Sequence, residues 1–169
     1  MLLQNLVRTW NDRRIIRAAA SEAVPQFGAI PYTVVDGQAV FLIITSRRSG
    51  RWIFPKGAPI EGMRPWEVAA HEALEEAGIE GEVQTEPIGK YRSVKSSGIR
   101  RTVIEVTMYP LRMMQQLDEW REKGSRHRHW VILPEARRLL SDPVLAELAT
   151  KLAHRVAPQL QPTAARITR

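Results

Sequence analysis

Three glutamates, Glu72, Glu75 and Glu76, crowd a short segment that otherwise reads as a helix. At roughly 100° per residue they fall within about 100° of arc on one helix face. Trp66, Ala69, Ala70, Ala73, Leu74 and Ala77 take the other side as an apolar stripe. Like charges so placed repel and weaken a helix. A hard divalent cation such as Mg²⁺, which takes oxygen ligands, would compensate them. The rival reading is a solvated acidic face, the commoner fate of acidic runs.

The flanking residues build a frame around these acids. Pro65 suits a first helical turn, and Gly78 stands where a helix ends in a left-handed residue. Upstream, Trp52-Ile-Phe-Pro-Lys-Gly57 is an apolar strand running into a Pro/Gly turn. The unit is strand, loop and helix, with carboxylates projecting from the helix.

With this spacing the sequence resembles the Nudix hydrolases, whose signature runs Gly-x5-Glu-x7-Arg-Glu-aliphatic-x-Glu-Glu-x-Gly-aliphatic. Gly57, Glu72, Ala73, Glu75, Glu76, Gly78 and Ile79 fall in register. Two positions depart: Met63 replaces the first Glu and His71 replaces the Arg. The resemblance implies hydrolysis of a nucleoside diphosphate linked to another moiety, or of another pyrophosphate. It implies Glu72 and Glu76 as ligands of Mg²⁺ or Mn²⁺, with Glu75 a further ligand or the group that orients the attacking water. The underlying chemistry is general, since a diphosphate repels nucleophiles until a cation neutralises it and delivers water to phosphorus. Such catalysis is mostly positioning and charge stabilisation.

The departures bear on the acids directly. The signature Arg orients the glutamates by a forked, charged contact that a histidine cannot copy. His71 lies one turn from both Glu67 and Glu75, within reach of either, or is a surface residue with no role. Met63 removes a carboxylate, which leaves the number of bound ions open.

The elements that must position this unit are legible in outline. Phe27–Val35 and Ala39–Ser46 read as strands around an Asp36-Gly37 turn. Gly81–Val94 and Arg101–Leu111 read as longer strands joined through Ser96-Ser97-Gly98. Trp130–Leu133 is a further strand, and Pro134–Leu140 and Pro143–Val156 are helices. The expected fold class is α/β (α+β): a mixed sheet between helices, the α/β/α sandwich that the resemblance implies. Residues 1–24 are expected to form a basic helical extension, with an amphipathic Leu2–Ala20; residues 25–156 form the Nudix domain, and 157–169 a frayed tail.

Composition fits one enzyme domain. The chain has 169 residues, 44% of them hydrophobic, enough to bury a core. It has no cysteine, which excludes disulfides, thiol catalysis and Cys-based zinc sites. No run of eighteen apolar residues suggests a membrane span. No typical secretory signal is seen, so a cytoplasmic location is expected.

A net charge of +7 asks for an anionic partner. Arg47, Arg48, Arg51 and Lys56 precede the signature, while Lys90, Arg92, Lys95, Arg100, Arg101, Arg126 and Arg128 cluster at strand ends. Brought together, they would rim the acids and fork onto phosphates. Nucleic acid also suits a basic protein, but no aromatic ladder is present to stack bases. A phosphorylated small molecule is the preferred partner.

Ser46-Arg47, Trp52, Pro55, the Glu-Glu-Ala-Gly-Ile ending and the downstream Asp118-Glu119-Trp120 to Pro134-Glu135-Ala136 stretch look like the diphosphoinositol polyphosphate phosphohydrolase branch. That likeness implies phosphate contacts at Ser46, Arg47, Arg101 and Arg128. Pro55-Lys56-Gly57 departs from the Gly-rich turn of the eukaryotic members and looks more like bacterial relatives. Inositol pyrophosphates, diadenosine polyphosphates and polyphosphate-like chains all stay open. So do removal of pyrophosphate from RNA 5′ ends and a weakly active binding module. Glu105, Glu119 and Glu135 are candidates for an additional acid outside the helix, with Glu119 preferred for its loop setting. Trp52, Trp66, Trp120 and Trp130 are expected to pack rather than stack bases; Trp10 is not placed.

Overall fold

A computed structural model of the chain describes residues 12, 16, 23–97 and 99–157. Eight strands form one mixed sheet: β1 (Val24–Val35), β2 (Gln38–Thr45), β3 (Trp52–Ile53), β4 (Lys56–Gly57), β5 (Ile79–Val83), β6 (Gly89–Ser97), β7 (Arg100–Gln116) and β8 (Arg128–Ile132). Three helices are described: α1 (Pro65–Ala77), α2 (Leu133–Leu139) and α3 (Pro143–Val156). The sheet path is β3-β2-β1-β7-β5, with β4 on β1, β6 on β7 and β8 on β2. Only the β1/β7 pair is parallel among these ladders.

Alternation along the strands sorts the apolar side chains to two faces. Ile30, Phe41, Ile43, Val106 and Met108 join Leu145, Leu148, Ala149 and Leu152 of α3 in the larger cluster. Ala29, Leu42, Ile44, Tyr109 and Leu111 meet Ala69, Ala73 and Ala77 of α1 on the other. Helices thus cover both faces, and the sandwich expected from the sequence is what forms.

Two expectations shift. The single strand over Gly81–Val94 is two, β5 and β6, separated by residues 84–88. Val83 pairs with Leu111 and Gly89 with Met108, so five residues face only two. Neither Pro87 nor Pro110 has an N–H to donate to a ladder here. Gln84 and Ile88 still donate to the Pro110 and Met108 carbonyls at 2.9 and 2.8 Å. The second strand is also longer: β7 runs to Gln116, because β6 and β5 follow one another along it.

The tail beyond residue 157 and nearly all of the N-terminal extension lie outside the described residues, Trp10 included. Asp12 and Ile16 are helical, and the Asp12 carboxylate stands 3.7 Å from Arg101 Nη1.

Candidate active site

The acid helix is shaped at both ends by its own sequence. Glu67 reaches back to the Arg64 amide N–H (2.7 Å) and guanidinium (2.9 Å), so the N–H at the helix start is satisfied by a side chain of the first turn. Gly78 closes the helix at φ 65°, and its N–H donates to the Leu74 carbonyl at 3.0 Å. Between them, Ala69, Ala73 and Ala77 are fully buried. Alanines at this spacing make one smooth stripe that lets the helix backbone lie close to the sheet.

That stripe decides how far each acid is buried. At roughly 100° per residue, Glu76 lies about 60° from the stripe's centre, Glu72 about 100° and Glu75 about 160°. Glu76 accordingly has 7% exposure, and Glu72 and Glu75 are half-buried. The acidic face is therefore graded, not uniformly solvated.

Glu72 and Glu76 both face β4. The Lys56 amide N–H donates to Glu76 Oε2 at 3.0 Å. Glu72 lies directly on Gly57: a Cβ there would come within 1.9 Å of Glu72 Oε1. Glycine at 57 is needed for this approach, a physical reason for the position that spacing alone does not supply. Among the described residues no hydrogen-bond donor reaches the Glu72 carboxylate.

The segment between β7 and β8 wraps over the end of the helix. Leu117 N–H donates to the Gly78 carbonyl (2.8 Å) and Glu122 N–H to that of Glu75 (3.2 Å). At its far end Thr45 N–H donates to the His127 carbonyl (2.9 Å), and His127 N–H to Thr45 Oγ1 (2.9 Å). This wrap carries Arg121 onto Glu75 Oε1, which His71 Nε2 also approaches at 3.1 Å. Of the two acids in reach of His71, it is Glu75 that pairs; Glu67 is engaged by Arg64. The wrap also places Arg126 against Glu76 and Glu122. Its Nη1 donates to the Thr45 carbonyl at 3.0 Å.

Electrostatics follow from burial. Desolvation pushes Glu76 up to about 7, against the pull of Arg126 and the Lys56 N–H. Burial and the neighbouring Glu75 charge push Glu72 up as well. Burial lowers the Lys56 ammonium, whose Nζ donates to Gln26 Oε1 at 3.0 Å.

The cationic residues divide. Arg47 pairs with Glu122 (3.3 Å). Ser46 Oγ accepts from the Arg51 N–H at 3.2 Å and lies 2.5 Å from Ser49 Oγ. Arg48 donates to the Ser96 carbonyl at 2.7 Å, and Ser96 pairs with Arg101 across the β6/β7 hairpin. The loop after β2 and that hairpin end therefore meet, which brings Arg47, Arg48 and Arg101 into one neighbourhood. Arg128 lies elsewhere: its Nη1 donates to the Ala77 carbonyl (2.9 Å) and its guanidinium stacks 3.9 Å over Trp120. Arg126, two residues earlier, is the arginine that reaches Glu76.

The additional acids also separate. Glu119 is exposed and pairs with Lys123. Glu105 is bound by Arg92 and Lys90 (2.8 and 3.5 Å), and Glu135 by His129 and Arg138 (3.5 and 3.7 Å). Glu122 is the outside acid that the wrap carries to the helix. Its signal in the sequence was a Glu four residues before Arg126 in a loop. Met63 is exposed. Trp66 and Trp130 pack against the α1 cluster and Trp52 against the α3 cluster.

No three of His, Asp and Glu among the described residues form a ready-made metal cage. The donor chemistry nevertheless suits a hard cation, because Glu72 is a half-desolvated carboxylate that no donor among the described residues reaches, next to a second acid held off its preferred charge. Among the described residues no helix is long and apolar enough to cross a membrane.

The NUDIX domain family model matches residues 24–150. Nudix hydrolase 17, mitochondrial, of Arabidopsis thaliana is 32% identical over 143 residues, covering 80% of this chain and 77% of its own. Diphosphoinositol polyphosphate phosphohydrolase 3-beta of Bos taurus is 31% identical over 117 residues, covering 67% and 68%. An Ap4A hydrolase binary complex from C. elegans matches with a TM-score of 0.61 at 20% identity, over 80% of this chain and 99% of that one. The chain belongs to the Nudix hydrolases, enzymes acting on phosphorus-containing acid anhydrides.

Proposed function

We propose that this enzyme is a Mg²⁺- or Mn²⁺-dependent pyrophosphohydrolase that cleaves a diphosphate linkage in a highly phosphorylated small molecule. The observation that carries the reading is Glu72, a carboxylate without a donor among the described residues, seated on Gly57 beside the buried Glu76. Glu72 and Glu76 would hold the metal, and Glu75 would ligate or orient water. The metal supplies charge neutralisation of the diphosphate and a water activated for attack on phosphorus.

The chain's own part is binding and orientation. Arg47, with Ser46 beside it and Arg101 at the adjoining hairpin, faces the substrate's outer phosphates. Lys56 fixes Glu76 through its backbone N–H. Arg128 supports the end of α1 through the Ala77 carbonyl. Diphosphoinositol polyphosphates, diadenosine polyphosphates and related nucleoside diphosphate derivatives are the preferred substrates. This choice rests on the density of cations and on the names borne by similar proteins. We place the enzyme in the cytoplasm; several plant relatives are named as mitochondrial, and fractionation of a tagged full-length protein would decide between the two.

Phosphate or pyrophosphate release from a panel of such compounds and a 5′-triphosphorylated RNA, with Mg²⁺, tests the function. Wild type should turn over a small polyphosphorylated compound fastest, and Glu76→Gln should lose most of that rate. Preference for the RNA would transfer the assignment to 5′-end processing. No turnover of any compound, with ligand binding intact in both proteins, would leave a binding module.

A further inference from the structure

Arg126 is the most enclosed charge in the site, with 6% of its side chain exposed. Its guanidinium serves three acceptors at once: Glu76 Oε1, Glu122 Oε2 and, at 3.0 Å, the Thr45 carbonyl. The other oxygen of Glu76 accepts the Lys56 amide N–H at 3.0 Å. Both oxygens of Glu76 are thus engaged by the chain itself, while neighbouring Glu72 has no donor among the described residues.

The local charges explain why an arginine stands there. Glu72, Glu76 and Glu122 lie close enough to disfavour one another's ionised forms. The Lys56 ammonium is turned toward Gln26, and Arg47 meets Glu122 from the exposed side. Arg126 is the buried cation facing Glu76, and a buried carboxylate left without a partner is strongly unfavourable. A divalent ion arriving at Glu76 meets that guanidinium on the same carboxylate, and two cations on one acid repel.

We propose that Arg126 is a built-in counter-cation that occupies Glu76 when no metal is bound and competes with the divalent ion for it. Glu122 and the Thr45 carbonyl are its second anchor. They hold the guanidinium in the site when it gives up Glu76, so exchange needs no large movement of the chain. In consequence the enzyme keeps its acids compensated without metal and binds metal more weakly than its carboxylates alone would. This inference rests on Glu72 and Glu76 being the metal acids.

Mn²⁺ binding to the substrate-free protein, read from the electron paramagnetic resonance signal of free Mn²⁺, tests it directly. Arg126→Gln is expected to bind Mn²⁺ about tenfold more tightly than wild type, which is one decade in the dissociation constant. Its melting temperature in EDTA should fall, and Mn²⁺ should raise it by more than in wild type. Arg126→Lys guards against failure to fold: it keeps the charge, but one ammonium cannot serve all three acceptors with the guanidinium's fork. It too should bind Mn²⁺ more tightly, by a smaller factor. Equal or weaker Mn²⁺ binding in both variants would overturn the proposal and make Arg126 a residue that holds Glu76 in place for the metal. Glu72→Gln separates the two levels. If it binds Mn²⁺ as well as wild type, or if wild type binds none, the metal reading fails and this inference with it.

Discussion

The two faces of the sheet are built by opposite rules. On the α3 side, Leu145, Leu148 and Leu152 interlock with Ile30, Phe41, Ile43 and Met108, all buried. On the α1 side the stripe laid on the sheet is alanine, Ala69, Ala73 and Ala77, flanked by Val68 and Trp66, and the margin of that contact holds Glu72, Glu76 and Arg126. Large aliphatic side chains bury area and stabilise. Alanines bury little, but they let the helix sit close enough for Glu72 to rest on Gly57. Stability is concentrated on one face and chemistry on the other.

Substitutions across the two faces should therefore separate cleanly. The largest effect belongs to the acid margin. Glu72→Gln should lower turnover by roughly 10²–10³-fold, the scale of losing one charge-stabilising group in a site. Its melting temperature should stay within a few degrees of wild type; a matching collapse of the fold would end the division between faces. On the opposite face, Leu152→Ala should cost about 3 kcal/mol of unfolding free energy. Turnover of the folded fraction should stay near wild type, as urea titration combined with kinetics would show.

A smaller effect comes from protons. Glu76 is pushed up to about 7 from 4.5, so the native protein holds a proton that the unfolded chain has released across that window. Metal-free stability is then greatest below the unfolded value and falls as pH rises through about 7, by about 2–3 kcal/mol between pH 5 and pH 8. Glu72 shifts in the same direction. Denaturant titrations in EDTA near pH 5 and near pH 8 measure this, and stability that rises over the interval contradicts it. Smaller again, Gly78→Ala imposes a left-handed φ of 65° on a residue with a side chain and brings a Cβ within 2.9 Å of Trp120 and Arg128. The cost is about 1 kcal/mol by thermal melting, with a modest loss of turnover because the Arg128 support shifts.

What could be read from the sequence divides along the same line. The helix Pro143–Val156 and the turn at Asp36-Gly37 follow from local pattern and are found where they were expected. Gly57, Gly78 and the three glutamates were legible because they recur at fixed spacing along one continuous stretch of chain. Arg126 was named only as one of many cations of an expected rim and Glu122 not at all, because their role arises from a loop that returns to Thr45 across the sheet. Arg128 and Glu119 looked equally suitable by type, and only the path of that loop sends one to Trp120 and the other to Lys123. The break between β5 and β6 was hidden for a similar reason, since it depends on Pro110 in the facing strand.

The central claim is that Glu72 and Glu76, seated against β4, are the acids that hold the metal. Anomalous scattering from a crystal of the full chain soaked in Mn²⁺ with a non-hydrolysable diphosphate tests it most directly. A manganese peak bound by Glu72 and Glu76 beside Gly57 is the expected result. A protein that binds the diphosphate with no peak there, or with manganese held only by other residues, would contradict it.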